Sequence, residues 1–448
     1  MNCSESFDAV VVGAGPAGCA TATALAQHHR RVLVLEREKF PRYHIGESLI
    51  PFTYHALDRI GMIPRLQKSG FSRKYSVQFV GPSGRASQPF YFYNRYDRET
   101  VAQTWQVLRS EFDQMLAENA REKGVEIREE VEVTELLKDG DRYVGVRART
   151  KDGHEYTVHA PVTVDATGRE AMAATRNAWR RGDPKLNKVA VWTYYDGALR
   201  DPGIDEGGTT VAFIPEKGWF WYIPQHNNRV SVGVVADGKY LTRDGVKDPK
   251  TIFHREVKEN RWIEQHLAQG TSCGEYWLTA EYTFRSQYCA ADGLVLVGDA
   301  YGFLDPVFSS GLMLALKSGV MAADAIHEAL GAGDTGAARF SRYATEMTES
   351  VENMRRLVYA FYDTNVSFRT VTDKHPAVAD DLTDCLSGDV NKDFSRMFAA
   401  FSEFTELPEP LPYGMPKITS PTPAMAGVSG APPAPIMPKM NPSVIATA

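Results

Sequence analysis

Cysteine is scarce in this chain, and its few cysteines are far apart. The 448 residues contain five, namely Cys3, Cys19, Cys273, Cys289 and Cys385, and no two of them form a CxxC pair. This pattern excludes a disulfide framework and a zinc site, and it is typical of proteins of the reducing cytosol. We therefore predict a cytoplasmic protein without a metal site.

The chain also lacks a long apolar run and an excess of basic residues. No apolar stretch approaches the ~20 residues that span a bilayer, and the apolar segment 7–12 lacks the basic flank of a signal peptide. The formal net charge is −6 at pH 7, so the composition does not point to nucleic acid as a partner. We expect neither a transmembrane segment nor a nucleic-acid partner.

Segments of two kinds alternate along the chain, and their order predicts two interleaved domains. A length of 448 residues exceeds that of one small core. Buried strands and helices of one kind fall in residues 1–75, 105–168 and 285–330, whereas β-rich segments fall in 76–104 and 169–284. Residues 331–405 are predicted to be helical. Residues 406–448, rich in proline and alanine without periodicity, are predicted to be a disordered tail.

A glycine-rich turn near the amino terminus joins a predicted strand to a predicted helix. Residues 13–18 read Gly-Ala-Gly-Pro-Ala-Gly. In such a GxGxxG turn, Gly13 permits the tight bend, Gly15 lets the backbone approach a pyrophosphate, and Gly18 lets helix and strand pack closely. The helix that opens at Pro16 and Ala17 offers free N–H groups to the phosphates.

An acidic residue completes this unit at the end of the second predicted strand. Residues 31–35 form that strand, and Glu36 stands where a carboxylate can bind ribose hydroxyls, with Arg37 beside it. Strand, turn, helix and acid together predict a dinucleotide-binding fold. They do not separate NAD from FAD.

Three later features favour FAD. Residues 294–300 form a buried strand that ends in Gly-Asp-Ala and resembles the second FAD motif of flavoprotein hydroxylases, in which Asp299 would bind the ribityl chain. Residues 165–169 resemble the mid-chain segment of the same families, which implies Asp165 and Gly168 near the cofactor. Arg109 matches a basic residue that contacts the flavin cofactor there. The resemblance implies an α/β fold: a Rossmann-like FAD-binding domain interleaved with a β-sheet substrate domain, followed by C-terminal helices.

From about residue 7 to residue 330 the chain resembles the flavin-dependent halogenases. Residues 42–49 contain the loop Gly46-Glu47-Ser48, which lies near the flavin ring in these enzymes and in reductases of isoprenoid chains. Lys74 stands where halogenases have an essential lysine, whose amine would hydrogen-bond hypohalous acid or capture it as a chloramine. Burial would lower the pKa of that lysine and supply the neutral amine.

Two further segments carry the resemblance, each with a plainer alternative. Residues 218–224 match the WxWxIP motif of halogenases, in which Trp219 and Trp221 separate the flavin from the substrate; the alternative is a hydrophobic sheet core. The turn 305–311 resembles one whose backbone N–H groups bind the halide, here those of Ser310 and Gly311. Its alternative is a helix start that contacts the flavin through Pro306 and Gly311, as in hydroxylases.

Departures from the tryptophan halogenases narrow the predicted substrate. Those enzymes are longer and have a glutamate where this chain has Phe308. The resemblance therefore implies a small electron-rich aromatic substrate, a phenol or a pyrrole, and whether a carrier protein presents it stays open. The chain has no second nucleotide fingerprint, which implies that a separate flavin reductase supplies FADH2. The other reactants would be O2 and chloride or bromide.

The same motifs leave other functions open at this point. A flavin monooxygenase and an isoprenoid-chain reductase share the glycine turn, the Gly-Asp-Ala strand and the Gly46-Glu47-Ser48 loop. A non-enzymatic flavin scaffold whose proline-rich tail recruits partners is the third alternative.

Overall fold

The computed structural model describes residues 5–183, 185–280, 283–364 and 366–418. A mainly parallel sheet holds the amino-terminal unit. Its four inner strands are fully buried and consist mainly of valine and leucine, as expected for strands covered on both faces. In spatial order they are Ala290–Ala291, Leu294–Leu296, Val162–Asp165, Ala9–Val12, Val32–Leu35 and Glu126–Arg128, of which Ala290–Ala291 alone in this sheet runs antiparallel to its neighbour.

Helices Pro16–Gln27, Arg109–Glu122 and Gly311–Gly331 cover the parallel sheet. The first and last of these lie very close together. A Cβ atom on Gly319 would come within 2.6 Å of the carbonyl oxygen of Ala17, so glycine is required at this crossing. The predicted strand–helix–strand unit is confirmed, since strand Val32–Leu35 pairs in parallel with Ala9–Val12 across helix Pro16–Gln27.

A larger sheet faces the parallel sheet. Its strands are, in order, Thr271–Ser272, Lys188–Asp196, Arg229–Asp237, Trp219–Pro224, Thr209–Phe213, Ser76–Val80 and Phe90–Tyr91, with Trp277–Ala280 also paired to Lys188–Asp196. All residues of Trp219–Pro224 are buried because both faces are covered. Phe220 and Tyr222 pack with residues of helices Pro249–Val257 and Arg261–Leu267, and the alternate residues face the parallel sheet.

Smaller elements complete the described part of the chain. A four-stranded sheet contains Glu5–Ser6, Glu155–His159, Arg142–Thr150 and Val131–Asp139; smaller sheets contain Arg180–Gly182, Phe284–Ser286 and Gly302–Phe303, and Ser72–Lys74 with Thr104–Gln106. The remaining helices are Thr53–Arg59, Ile63–Lys68, Met172–Arg176, Gly238–Leu241, Ser341–Tyr362, Phe368–Lys374, Ala379–Ser387 and Ser395–Ser402. Within the described ranges, no helix combines the length and apolarity that crossing a bilayer needs.

The strands of the two large sheets alternate along the chain. The parallel sheet uses strands from 1–75, 105–168 and 285–330, and the larger sheet uses strands from 76–104 and 169–284. The exact domain boundaries stay a prediction.

The predicted disorder of 406–448 is wrong for its first part. Residues 406–418 run along the protein: Met415 forms a parallel bridge with Tyr288, and the N–H of Lys417 donates to the carbonyl oxygen of Ala290 at 2.7 Å. Backbone pairing of this kind needs no hydrophobic periodicity, which explains why composition alone misses it. Residues 419–448 lie outside the described residues.

Candidate functional site

A cavity lies between the carboxyl ends of the parallel strands and the inner face of the larger sheet. Val12 and Leu35 line it from one side, and Val211 and Trp221 from the other. Ligands of open α/β sheets bind at this edge of the sheet. Most predicted site residues line the cavity, namely Gly13, Gly15, Pro16, Ala17, Glu36, Arg37, Gly46, Glu47, Ser48, Arg109, Gly168, Trp219, Trp221, Asp299, Pro306 and Gly311. Gly18, Lys74, Asp165 and Ser310 do not line it.

Each of the three positions in the turn is occupied by glycine for a different structural reason. Gly13 has a φ of +104°, and a Cβ atom there would lie 2.5 Å from the carbonyl oxygen of Ala166. A Cβ atom on Gly18 would lie 2.0 Å from the carbonyl oxygen of Gly13. Gly15 is different: the atom nearest to its missing Cβ is a guanidinium nitrogen of Arg42 at 3.8 Å. The space at Gly15 is therefore open towards the cavity and beside a positive charge, as a bound phosphate requires.

Glu36 is buried where the second strand ends. Its Oε2 accepts a hydrogen bond from the backbone N–H of Ala14 at 2.9 Å, and its Oε1 accepts one from the N–H of Glu38 at 3.0 Å. These bonds join the carboxylate to the glycine turn and fix its position in the cavity wall. Arg37 is exposed and pairs with Glu170 at the cavity rim.

A buried charge network, which the sequence reasoning missed, supports the loop at Gly46. Asp113 accepts hydrogen bonds from Arg109 Nε at 2.7 Å and from Arg42 at 3.0 Å. Burial alone would raise the pKa of Asp113, but Arg109 and then Arg42 hold it below its usual value. Arg109 also donates to the carbonyl oxygen of Ile45 at 2.9 Å. Arg109 therefore positions the loop, and its spacing of four residues from Asp113 on one helix was the available signal.

Asp299 and Asp165 end neighbouring segments but have different surroundings. Asp299 lines the cavity, and loss of solvent contact raises its pKa to about 6. Asp165 was predicted to bind the cofactor, and this prediction is not supported by its position. Its carboxylate accepts hydrogen bonds from Thr167 Oγ1 at 2.7 Å and from the N–H of Ala173 at 2.7 Å. Asp165 therefore shapes the turn whose residue Gly168 lines the cavity.

Trp219 and Trp221 form a tryptophan wall on the cavity side of the larger sheet. Their ring centroids are 6.2 Å apart. Trp219 Nε1 donates to Tyr362 Oη at 2.8 Å, and Trp221 Nε1 donates to Ser231 Oγ at 3.1 Å. A Cβ atom on Gly233 would lie 2.4 Å from the Trp221 ring, so this glycine makes room for the indole. Both rings are held in fixed orientations.

Lys74 lies behind the cavity wall rather than in it. The side chain is fully buried, and Nζ donates to Ser48 Oγ at 2.8 Å and to the carbonyl oxygen of Leu49 at 2.9 Å. Ser48 is in turn hydrogen-bonded to Thr209 Oγ1 at 3.0 Å, and both residues line the cavity. Burial lowers the pKa of Lys74 to about 7. At neutral pH a substantial fraction of this amine is uncharged.

The turn before helix Gly311–Gly331 is strained and tightly held. Ser309 has a φ of +56°, and Asp305 Oδ1 accepts a hydrogen bond from the N–H of Val307 at 3.1 Å. Asp305 Oδ2 accepts a second one from Tyr362, the residue that holds Trp219. Gly311 lines the cavity, and its missing Cβ faces open space. The first N–H groups of a helix lack acceptors within the helix and attract anions.

These features fit FAD. The open Gly15 turn fits a pyrophosphate, the fixed carboxylate of Glu36 fits a ribose diol, and Asp299 lies in the wall of the same cavity. The cavity continues past the Gly46 loop to the tryptophan wall, where a flavin ring would lie.

Comparisons with known proteins decide between the alternatives. The sequence profile of the tryptophan halogenase family matches residues 8–94 and 85–371. Tryptophan 2-halogenase of Chondromyces crocatus is 31% identical over 83% of this chain and 70% of its own length. The 1H-pyrrole-2-carbonyl-[peptidyl-carrier protein] chlorinase of Pseudomonas fluorescens is 28% identical over 86% of this chain and 90% of its own. The solved structure of the flavin-dependent brominase Bmp2 superimposes with a TM-score of 0.80 and 28% identity, covering 89% of this chain and 99% of that one. This chain therefore belongs to the tryptophan halogenase family and is a flavin-dependent halogenase.

Proposed function

We propose that the protein uses FADH2, O2 and chloride or bromide to halogenate an electron-rich aromatic ring, a phenol or a pyrrole, through hypohalous acid and Lys74. The observation that supports this proposal most strongly is the position of the Lys74 side chain. It is a fully buried amine with neutral hydrogen-bond acceptors, one hydrogen bond behind the cavity.

The cofactor-binding roles follow from the cavity wall. The Gly13–Gly18 turn and the helix start at Pro16 and Ala17 would hold the pyrophosphate, Glu36 the ribose, and Asp299 the ribityl chain. The loop Gly46-Glu47-Ser48, positioned by Arg109, would contact the ring. When bound, reduced FAD with O2 supplies the oxidising equivalent that converts a halide into hypohalous acid.

The helix start beside the cavity would bind the halide. The N–H groups of Ser310 and Gly311 begin a helix of 21 residues, and the missing side chain of Gly311 leaves room for an ion. Ser310 itself is 1% exposed, so its backbone rather than its side chain would serve. Pro306 and Val307, in the same turn, also line the cavity.

Lys74 would then deliver the oxidant. Ser48 and Thr209 form a polar pair between the cavity and the amine, and Gln106 Nε2 donates to Thr209 Oγ1 at 2.8 Å. Hypohalous acid is small and polar, so it could pass this pair while the tryptophan wall excludes a ring-sized substrate. The neutral form of Lys74 can accept a hydrogen bond from the oxidant or react with it.

The surroundings of Phe308 favour a small apolar ring over free tryptophan. Phe308 is buried and packs on Phe361, with ring centroids 5.7 Å apart, and on Phe368 at 6.0 Å. Position 308 therefore carries an aromatic ring where the tryptophan halogenases have a carboxylate. A relative acts on a pyrrole held by a peptidyl carrier protein, and presentation by a carrier protein is part of the proposal. A separate reductase that supplies FADH2 is also part of the proposal.

The test is a mass-spectrometric assay of substituted phenols and pyrroles, free and carrier-bound. The protein is incubated with FAD, a generic flavin reductase, NADH, O2 and chloride or bromide. We expect a product shifted by one halogen, recognised by its isotope pattern. Lys74→Met should abolish this product while NADH-coupled flavin oxidation continues, and Lys68→Ala, at an exposed lysine nearby, should behave as the wild type. Halogenation by Lys74→Met at the wild-type rate would show that Lys74 has another role.

A further inference from the structure

We propose that Tyr43, Tyr194 and Glu47 form a proton relay that leads from the protein surface to the flavin cavity. Their polar groups form a continuous line of hydrogen bonds from an exposed tyrosine to a buried carboxyl group in the cavity wall. The proposal rests on the proposed function for its purpose, but the relay itself can be measured separately.

The inner end of the relay is Glu47, which is 2% exposed and lines the cavity. Its Oε1 accepts a hydrogen bond from Tyr194 Oη at 2.8 Å. Its Oε2 is buried and has no hydrogen-bond partner among the described residues, and Oε1 of the neighbouring Gln225 is unpartnered too. Burial raises the pKa of Glu47, against the opposing effects of nearby Ser231, Tyr194, Gln225 and Arg109. A buried carboxyl group with an unpartnered oxygen can take up a proton from one neighbour and release it to another acceptor.

The two tyrosine hydroxyl groups join the surface to Glu47 through hydrogen bonds. The indole of Trp192 can only donate, and its Nε1 donates to Tyr43 Oη at 2.7 Å. The Tyr43 and Tyr194 oxygens are 3.2 Å apart. Tyr194 has one hydroxyl proton, and of its two possible acceptors Glu47 Oε1 is nearer than Tyr43 Oη. Tyr194 Oη has both Glu47 Oε1 and Tyr43 Oη within donating distance, so its single proton can serve either neighbour, and rotation of the Tyr43 hydroxyl group turns the proton of Tyr43 towards Tyr194.

The outer end of the relay reaches solvent. Tyr43 is 47% exposed, and its ring stacks on Trp277 with centroids 5.1 Å apart. Tyr43 also lines a second, open cleft on the protein surface, together with charged residues that include Glu132 and Lys151. The relay thus crosses the wall between an open surface cleft and the cofactor cavity.

The proposed halogenation reaction needs a supply of protons. In balanced form, FADH2, O2, a halide ion, an aromatic C–H and one proton give FAD, the C–halogen product and two water molecules. Each turnover therefore consumes one proton in a cavity that a bound cofactor and two indoles would largely close to water.

The relay would deliver this proton without creating a charged tyrosine. After a turn of its carboxyl group towards the cavity, Glu47 gives the Oε2 proton to an acceptor there, while Glu47 Oε1 takes the proton of Tyr194. Tyr194 takes that of Tyr43, and Tyr43 takes one from water. Rotation of the carboxyl group and the two hydroxyl groups then restores the starting arrangement.

The first measurement is isotope exchange in the FAD-loaded protein. Infrared spectroscopy follows the C=O stretch of a protonated carboxyl group, assigned to Glu47 by its loss in Glu47→Gln. After dilution into D2O, we expect fast exchange in the wild type and slow exchange in both Tyr43→Phe and Tyr194→Phe. Tyr276→Phe is the control, since this hydroxyl bonds His254 at 2.9 Å and lies outside the relay. Equal exchange in all four proteins would overturn the proposal.

The second measurement is the halogenation rate of the same proteins. Loss of a proton-transfer group costs on the order of a hundredfold or more in many enzymes, and we expect Tyr43→Phe and Tyr194→Phe to lose at least ~tenfold. Tyr276→Phe should keep the wild-type rate, and unchanged rates in the two relay variants would contradict the proposal. If the wild type halogenates no substrate, the proposed function is wrong, and isotope exchange alone then decides whether the relay exists.

Discussion

Burial separates Lys74 from an ordinary surface lysine. Lys68 lies a few residues earlier and is exposed, whereas Lys74 has no contact with solvent and donates to two neutral acceptors. A motif can predict a lysine at this position, but it cannot predict the depth of burial. The burial lowers the pKa to about 7 and so makes the amine a candidate reagent at neutral pH.

This lowered pKa should be visible in the stability of the protein. Unfolded Lys74 binds a proton up to a pH of about 10.5, whereas the folded side chain releases it above about 7. Between these values the unfolded state binds more protons, so stability should rise with pH by up to ~1.4 kcal/mol per unit from this group. Below pH 7 the cost of the buried charge is fully present.

The measurement is the difference in melting temperature between the wild type and Lys74→Met from pH 6 to pH 10. Lys74→Met should be the more stable protein near pH 6, and the wild type should gain on it as the pH rises. A difference independent of pH would mean that folded Lys74 titrates at its ordinary value.

At the scale of the element, the glycine turn was the most predictable part of the site. Strand, turn and helix are short-range features, and the roles assigned to Gly13, Gly15 and Gly18 agree with the space around each residue. Asp165 shows where this reasoning ends. A carboxylate at the end of a parallel strand can face a ligand or its own turn, and only the three-dimensional path of residues 167–173 places it in the turn.

Two alanine substitutions in the glycine turn should affect different properties: one should lower the stability of the protein, and the other should weaken FAD binding. Gly13→Ala places a side chain at a φ of +104° and 2.5 Å from a carbonyl oxygen, so the cofactor-free protein should lose roughly 3 kcal/mol or more. Gly15 has a φ of −73° and open space, so Gly15→Ala should fold with nearly the wild-type stability. Its methyl group would occupy the phosphate position and weaken FAD binding by at least ~tenfold, or ~1.4 kcal/mol.

Thermal unfolding of the cofactor-free proteins and flavin-fluorescence titration separate the two effects. Wild-type FAD affinity in Gly15→Ala would contradict the proposed pyrophosphate position.

At the scale of the molecule, the contacts that complete the site join distant parts of the chain. Tyr362 links Trp219 to Asp305, and Tyr194 joins the loops at Tyr43 and Glu47. No local sequence pattern predicts such contacts, because the two residues in each contact are more than 50 residues apart in the chain. The docking of residues 406–418 was missed for the same reason.

The docked residues make truncation a sharp test of the carboxyl end. Removal of everything after residue 405 deletes the hydrogen bonds of Gly414, Met415 and Lys417 to residues 287–290, and the one from Arg355 to Glu409. At about 1 kcal/mol for each bond, and about 2 °C for each kcal/mol, the melting temperature should fall by roughly 5–8 °C.

Truncation after residue 418 is the matched control, because every described contact survives it. Equal melting temperatures for the two truncated proteins would show that residues 406–418 do not stabilise the fold.

The alternation of the two sheets along the chain has a consequence for biosynthesis. The cavity is lined by residues from Val12 to Ala315, and the turn 305–311, which we propose as the halide site, is among the last of the cavity-lining segments to be synthesised. A nascent chain that has emerged from the ribosome only as far as the larger sheet has the glycine turn and the tryptophan wall, but not Asp299 or Gly311. All residues that line the cavity are therefore present only once the chain has been synthesised as far as Ala315, and we expect a chain that ends before Asp299 to bind FAD more weakly.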